Sequence, residues 1–473
     1  MTERAYDRLT GLDNSFLVYE DASPDGAMHV ASTQIHEAAP LRKEDGSLDI
    51  ERIEEYVVSR LERIPRYRQR LARTPLEKHP VWVDDPSFNI RYHVRHTRLP
   101  RPGSERQLKR LVGRLFSQRL DREKPLWELW VIEGLEGDRV AVTSKVHHCM
   151  VDGVSGSELI ATLLTTEPQE KPDPIRRWQP RPLPSRVQLG LGEVSRVLGA
   201  PREIAASLGR LLRDEGGARH DASERLRAMA RLIGDNATLA TPVPFNRPVG
   251  PHRRIDWLPM PIARIREVRA AAGGSLNDVV LATAAGGLAR FLSRDRGLRL
   301  EDLRFRVMAP VSTRTDDDHG TLGNRVSAWM VDLPLAEPDP LERLAQIRRQ
   351  TEELKRSKQA LAADTLTRVT EWTGSALLSI GARLMTYGTP FNTVITNVPG
   401  PRMPLYLLAS PMLEIHPHVP IMGTLGLGIA LFSYDGALSW GFTGDWDLVP
   451  DLHTLVLATE RAFADLRRAA GIA

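Results

Sequence analysis

Two α/β domains joined by a long crossover are what this 473-residue chain predicts, from three observations. The length exceeds what one hydrophobic core ordinarily serves, so two units of roughly 200 residues each are expected. Stretches of helical spacing alternate with short runs rich in Val, Ile and Trp on both sides of the middle of the chain. Between them, six prolines fall between Glu167 and Arg186, a density that neither a helix nor a central strand tolerates. The expected division is therefore a first domain over 1–166, a Pro-rich and helical linker over 167–246, and a second domain over 247–473.

In chain order, Ile53, Tyr56, Val57, Leu61 and Ile64 predict an amphipathic helix over Ile50 to Leu71, and a second follows over Glu105 to Leu120. Trp82 to Val94 reads as strand and turn. LWELWVIEGL, a turn at Gly137 and Asp138, and RVAVTSKVHH form a hairpin-like pair ending on two histidines. Gly153 to Thr165 returns to helical spacing, and Val187 to Asp235 is helical with many arginines, open to being a packed helix pair, a hairpin covering the site, a membrane-facing segment or a crossover spanning the domains. The remainder alternates: helices from Pro261 and Asn277, strands Arg304 to Ala309 and Arg325 to Leu333, a helix Pro340 to Arg356, strands near Thr393, Leu427 and Leu438, and a last helix from Pro450. No repeat of solenoid period is evident.

Composition excludes several classes. Sixty-four Lys and Arg against sixty Asp and Glu give a formal charge of +4, spread along the chain, so nucleic-acid binding is not implied. The single cysteine, Cys149, rules out an internal disulfide and fits a reducing compartment. MTERAYDRLTGLDNSF lacks the apolar run of a secretory signal, and cytoplasmic residence is expected. Leu384 to Pro401 and Val419 to Tyr434 are broken by Gly and Pro, so no transmembrane anchor is expected, and work on a lipid would have to be peripheral.

The chemistry concentrates at the end of the hairpin. On a strand, Val140, Val142, Ser144, Val146 and His148 share one face, while Ala141, Thr143, Lys145 and His147 share the other. His148 thus ends the more apolar face, where a neutral imidazole is favoured and could accept a proton. Core packing is the bland alternative for any such pair. Asp152, followed by Gly153, falls where the chain must turn, and suits an architectural tie to a distant Arg. The spacing matches neither HExxH nor a CxxC pair, which disfavours a metal. Cys149 is better read as a small buried hydrophobe than as a nucleophile, and GVSGS is not a GxSxG elbow.

HHCMVDGVSG, His147 to Gly156, resembles the HHxxxDG motif of the coenzyme-A-dependent acyltransferase superfamily. LTGLDNSF, KPLWELWVIEGL, SLNDVVLA, APVSTR, GNRVSAWMVDLP and TNVPGPRMPL follow in order over about 400 residues and narrow the likeness to the bacterial wax ester synthase/diacylglycerol acyltransferases. The DFGWG motif of plant relatives is absent, although YDGALSWGFTGDWD occupies a similar late position. The resemblance implies two chloramphenicol-acetyltransferase-like domains, each a mixed sheet with helices, meeting at a tunnel.

It further implies that His148 is the general base, with His147, Asp152 and Gly153 completing its motif. Asn277, Asp278, Pro125 and Trp127 stand at positions of segments tied to substrate. Asn277 could otherwise be an N-cap-like residue, Asp278 a favourable charge at a helix N-terminus, and Pro125 and Trp127 strand-packing residues. The implied cosubstrate is long-chain acyl-CoA, the acceptor diacylglycerol or a long-chain alcohol, with no metal or prosthetic group. The site of action would be the cytoplasm, or peripherally the inner membrane or lipid bodies. A carrier-protein-dependent condensation domain and a non-catalytic lipid-binding protein are the competing readings.

Overall fold

The computed structural model describes residues 6–23, 25–150, 163–196, 239–312, 326–356 and 390–472. Its strands are β1 (Asp7–Arg8), β2 (His29–Glu37), β3 (Gln69–Arg73), β4 (Pro80–Asp84), β5 (Val94–Arg98), β6 (Trp127–Leu135), β7 (Arg139–His147), β8 (Arg253–Pro261), β9 (Phe305–Ser312), β10 (Val326–Leu333), β11 (Thr393–Val398), β12 (Tyr406–Leu407), β13 (Ser410–His418), β14 (Leu427–Tyr434) and β15 (Ala437–Asp445). Its helices are α1 (Gly11–Ala22), α2 (Ile50–Arg60), the single turn α3 (Ile90–His93) and α4 (Glu105–Ser117). After α5 over 186–196 come α6 (Ile262–Ala272), α7 (Leu276–Arg290), α8 (Pro340–Arg356) and α9 (Leu452–Ala469).

Two six-stranded mixed sheets carry the fold. The first runs β12-β13-β2-β7-β6-β5, antiparallel except for the parallel β5/β6 pair. The second runs β10-β9-β11-β14-β15-β8, with parallel pairing on both sides of β11. A small sheet, β1-β4-β3, flanks the first. The hairpin predicted from LWELWVIEGL and RVAVTSKVHH is β6 and β7, turning through Gly137 and Asp138, both at positive φ.

The sheets do not respect a contiguous 247–473 unit. β12 and β13, from late in the chain, complete the first sheet by pairing β13 against β2. Leu405, Leu407, Met412 and Ile415 accordingly join the apolar core of the first half. The exchange requires close backbone approach: a Cβ on Gly441 of β15 would lie 1.7 Å from the Pro417 carbonyl oxygen of β13. The two halves are further joined where α4 lies on β8. Leu108, Val112 and Leu115 share a cluster with Ile255 and Trp257, and Gly113 passes close to the Arg253 carbonyl.

Other sequence expectations need correction. The helix from Ile50 stops at Arg60 rather than Leu71, because Pro65 lacks an N–H and disfavours helical backbone in the residue before it. Short 3-10 turns then lead into β3. The stretch Gly11–Ala22, which carries no obvious apolar stripe, is a helix capped by Thr10, whose hydroxyl accepts the Asp13 N–H at 3.1 Å. β2, β8 and β13 were not legible as strands. The helices expected over Gly153 to Thr165 and Val187 to Asp235 fall largely outside the described residues, apart from α5.

Candidate active site

β7 ends at His147, one residue earlier than alternation along the whole segment implies, and His148 opens a 3-10 turn, His148–Met150. The two histidines nevertheless have different surroundings. The His147 ring is buried: its Nδ1 accepts the Cys149 backbone N–H at 3.2 Å, so Nε2 carries the proton and faces Glu20 Oε2 at 3.2 Å. His29 stands directly opposite on β2, and burial holds its pKa well below the ordinary value. His147 is thereby fixed in tautomer and orientation, with no nitrogen left for a substrate.

His148 is held by its backbone N–H to the Met28 carbonyl at 2.8 Å and by the Phe16 ring, stacked at 3.9 Å between centroids. Burial lowers its pKa to about 4, partly offset by the residue's own carbonyl and reinforced by His147, so the ring is neutral at pH 7. Nδ1 is buried with no partner among the other described residues, only the residue's own carbonyl lying near the ring, which leaves Nε2 as the nitrogen a substrate could reach. The residue retains some accessible surface. Cys149, by contrast, is fully buried, and burial pushes its thiol pKa far up, so it offers no thiolate.

Sequence reasoning missed Phe16 and Glu20. Asp13, Phe16 and Glu20 are spaced three and four apart on α1 and so share one helix face, the signal that could have found them. Glu20 is buried and accepts Met28 N–H at 3.4 Å and Arg122 Nε at 3.1 Å, besides facing His147. Burial alone would raise its pKa, but the His147 hydrogen bond, with the Arg122 guanidinium, holds it well below the usual carboxylate range. Behind this group, Lys145 is buried on the same face of β7 as His147, with Nζ donating to the Leu115 and Gln118 carbonyls and 3.1 Å from Glu128 Oε2. The charged layer under the histidines is therefore paired throughout.

The other sequence candidates fall elsewhere. Pro125 and Trp127 enter β6 in the core: Trp127 Nε1 donates to the Tyr67 carbonyl at 2.8 Å, and its ring stacks on His93 at 4.5 Å. The cap of α7 is Ser275, not Asn277. Asp278 closes a capping box, its Oδ2 accepting from Ser275 N–H and Oγ, while Oδ1 accepts from Thr351 at 2.7 Å. Asn277, one residue earlier, is half-buried with no hydrogen-bond partner among the described residues. No described contact joins these two residues to His148. Asp152 and Gly153 lie outside the described residues. Among the described residues no group of three or more His, Cys, Asp or Glu side chains is placed to hold a metal ion.

A neutral, stacked histidine beside a buried, carboxylate-locked one forms the candidate site, and it lies within the first of two family profiles that match the chain. The profile of the wax ester synthase/diacylglycerol acyltransferase catalytic domain matches residues 9–280, and that of the WS/DGAT C-terminal domain matches residues 322–467. The chain belongs to the wax ester synthase/diacylglycerol acyltransferase family. It is 32% identical over 458 residues, 95% of this chain and 88% of the relative, to a Mycobacterium tuberculosis protein assigned as a diacylglycerol O-acyltransferase. It is 31% identical over 480 residues, 97% of this chain and 95% of the relative, to another from the same organism. The wax ester synthase/diacylglycerol acyltransferase structure from Marinobacter aquaeolei VT8 superposes with a TM-score of 0.68 at 27% identity, covering 98% of this chain and all of that one. The first condensation domain of the calcium-dependent antibiotic synthetase shares the fold alone, with a TM-score of 0.59 at 17% identity over 98% of this chain and 96% of that domain. This WS/DGAT-family chain is thus an acyltransferase built from two condensation-like halves. Among the described residues no helix is long and apolar enough to cross a membrane.

Proposed function

We propose that this acyltransferase moves a long-chain acyl group from acyl-CoA directly to the hydroxyl of diacylglycerol, with His148 as general base and no metal or prosthetic group. The observation that carries the base assignment is the contrast within the pair: His147 has both nitrogens committed, whereas the neutral His148 ring has Nε2 in reserve. His148 Nε2 takes the acceptor's hydroxyl proton as its oxygen forms a bond to the thioester carbonyl carbon. Collapse of the tetrahedral intermediate breaks the C–S bond, and the CoA thiolate leaves with the proton from the imidazolium. Asn277, whose amide has no other described partner, is the proposed donor to the oxyanion, and Asp278 holds the helix turn that presents it. Pro125 and Trp127 seat the strand leading to the site, and Asp152 and Gly153 are the proposed partners of His148 from its own motif.

Diacylglycerol is preferred because relatives over nearly the whole chain are assigned that activity. A long-chain alcohol is the second acceptor, on the name of the Marinobacter relative. The test is release of free CoA thiol from palmitoyl-CoA with dioleoylglycerol or hexadecanol. Faster release with dioleoylglycerol is expected, and preference for hexadecanol would reverse the order of acceptors. His148→Ala should lose about two to four orders of magnitude in rate with folding intact. Turnover like the wild type in that variant would remove His148 as the base.

A further inference from the structure

A cavity of about 770 Å³ opens on the first half of the molecule, between β3, the loop after β4, α3 and the loop that leads into β6. That volume suits a small organic ligand, and none of the residues given a role in acyl transfer lines it. Its wall carries four cations, Arg70, Arg73, Arg122 and Lys124. Three are already engaged by acids: Arg122 by Glu20 and Asp21, Lys124 by Asp121, and Arg73 by Asp21 at 3.7 Å. Arg70 stands 3.9 Å from Asp85, itself on the wall, and Glu123 adds a further negative charge there. With every cation facing a carboxylate, the cavity has no surplus positive charge with which to select an anion.

What the wall lacks is donors for two buried acceptors. His93 is 1% exposed, and its Nδ1–H donates to the Trp127 carbonyl at 2.8 Å, so Nε2 presents a bare lone pair. The ring is stacked on both Phe88 and Trp127, which fixes the direction of that lone pair. Burial lowers its pKa, opposed by the Trp127 carbonyl, Glu128 and Asp85, so the imidazole is neutral at pH 7. Asp85 is 6% exposed; its Oδ1 accepts the Ser87 N–H at 3.0 Å, and Arg70 lies beyond hydrogen-bond distance. Neither His93 Nε2 nor Asp85 Oδ2 meets a donor among the described residues, and both residues line the cavity. Buried acceptors are ordinarily satisfied, so an occupant that donates to both completes the wall. Because the surrounding charges already balance, uncharged donors fit best, and a hydroxyl can also accept from Arg70.

We infer that this cavity binds an uncharged polyol, one hydroxyl donating to His93 Nε2 and a second to Asp85 Oδ2. The inference goes beyond acyl transfer and does not depend on the acceptor proposed above. Paired hydroxyls occur on the head of a monoacylglycerol and on a free sugar, and the test separates these sources. Full-length protein is titrated calorimetrically with monobutyrylglycerol and, separately, with maltose. At least one should bind saturably, and the tighter of the two names the source. Propyl butyrate, which is monobutyrylglycerol without its two hydroxyls, should not bind. Asp85→Asn, which exchanges one acceptor oxygen for a donor, should weaken binding at least about tenfold. Ser87→Trp, a change at an exposed position on the cavity wall, should abolish binding while keeping the wild-type melting temperature and CoA release. Failure of both polyols to bind, propyl butyrate binding as tightly as monobutyrylglycerol, or either variant binding like the wild type would overturn the inference. So would tighter binding of glycerol 3-phosphate than of either polyol, since the cavity would then select an anion.

Discussion

Replacing Glu20 by Gln tests whether the buried carboxylate sets the geometry of the histidine pair. The swap keeps the shape and exchanges one acceptor oxygen for an NH2 donor. If that donor takes the place of Oε2, it faces Arg122 and His147; if it takes the place of Oε1, it faces the Met28 N–H. Either way a buried donor loses its acceptor, which costs about 1–3 kcal/mol, near the upper end where Arg122 is the loser. Arg122 keeps Asp21, at 2.6 Å from Nη1, so the loss stays within that range.

For a unit of about 200 residues, 2 to 3 kcal/mol corresponds to a melting-temperature drop of roughly 4–12 °C. With His147 released, the turn carrying His148 loosens, and a misplacement of about 1 Å lowers kcat roughly 10- to 100-fold while KM for acyl-CoA changes little. CoA release kinetics and thermal denaturation read the two effects. Because the Glu20 pKa is depressed, its contribution is present above the unfolded value near 4.5 and is lost as pH falls below it. The gap in melting temperature between wild type and Glu20→Gln should therefore narrow in acid. A variant with wild-type kcat and stability at pH 7 would refute the positioning role.

Phe16→Ala should expose the His148 ring to water and move its pKa from about 4 up towards 6.5, shifting the acidic limb of the kcat/KM profile the same way; an unmoved limb would sever the link between stacking and basicity. His29, His36, His93, His148, His416 and His418 are all held below their ordinary pKa, chiefly by burial. In the unfolded chain they would protonate as pH falls through 6.5 while the folded protein resists, so stability present above that pH should be lost between 6.5 and about 4. A melting temperature independent of pH across that window would contradict it. Gly441→Ala drives a Cβ into the Pro417 carbonyl and should cost about 3 kcal/mol or more, read by denaturant unfolding; a neutral effect would mean that the β13 crossing can relax.

Period-two alternation and the Gly137–Asp138 turn made the β6/β7 hairpin readable, since both signals lie within about twenty residues. The unlike surroundings of His147 and His148 were readable too, although the alternation argument ran one residue past the end of β7. Asp278 illustrates the opposite case. As an acid in the first turn of a helix it was open to several roles, and the Ser275 and Thr351 hydroxyls, the latter 73 residues away, commit both of its oxygens to structure.

By itself, the sequence determined the two-part α/β architecture, the motif that names the family and the histidine to test first, because each rests on local spacing or on ordered segments. Tertiary structure decided what surrounds that histidine. Glu20 meets His147 across 127 residues, and β13 reaches β2 from nearly 400 residues downstream. Such pairings arise from packing whole elements together, and no local pattern in either partner announces them.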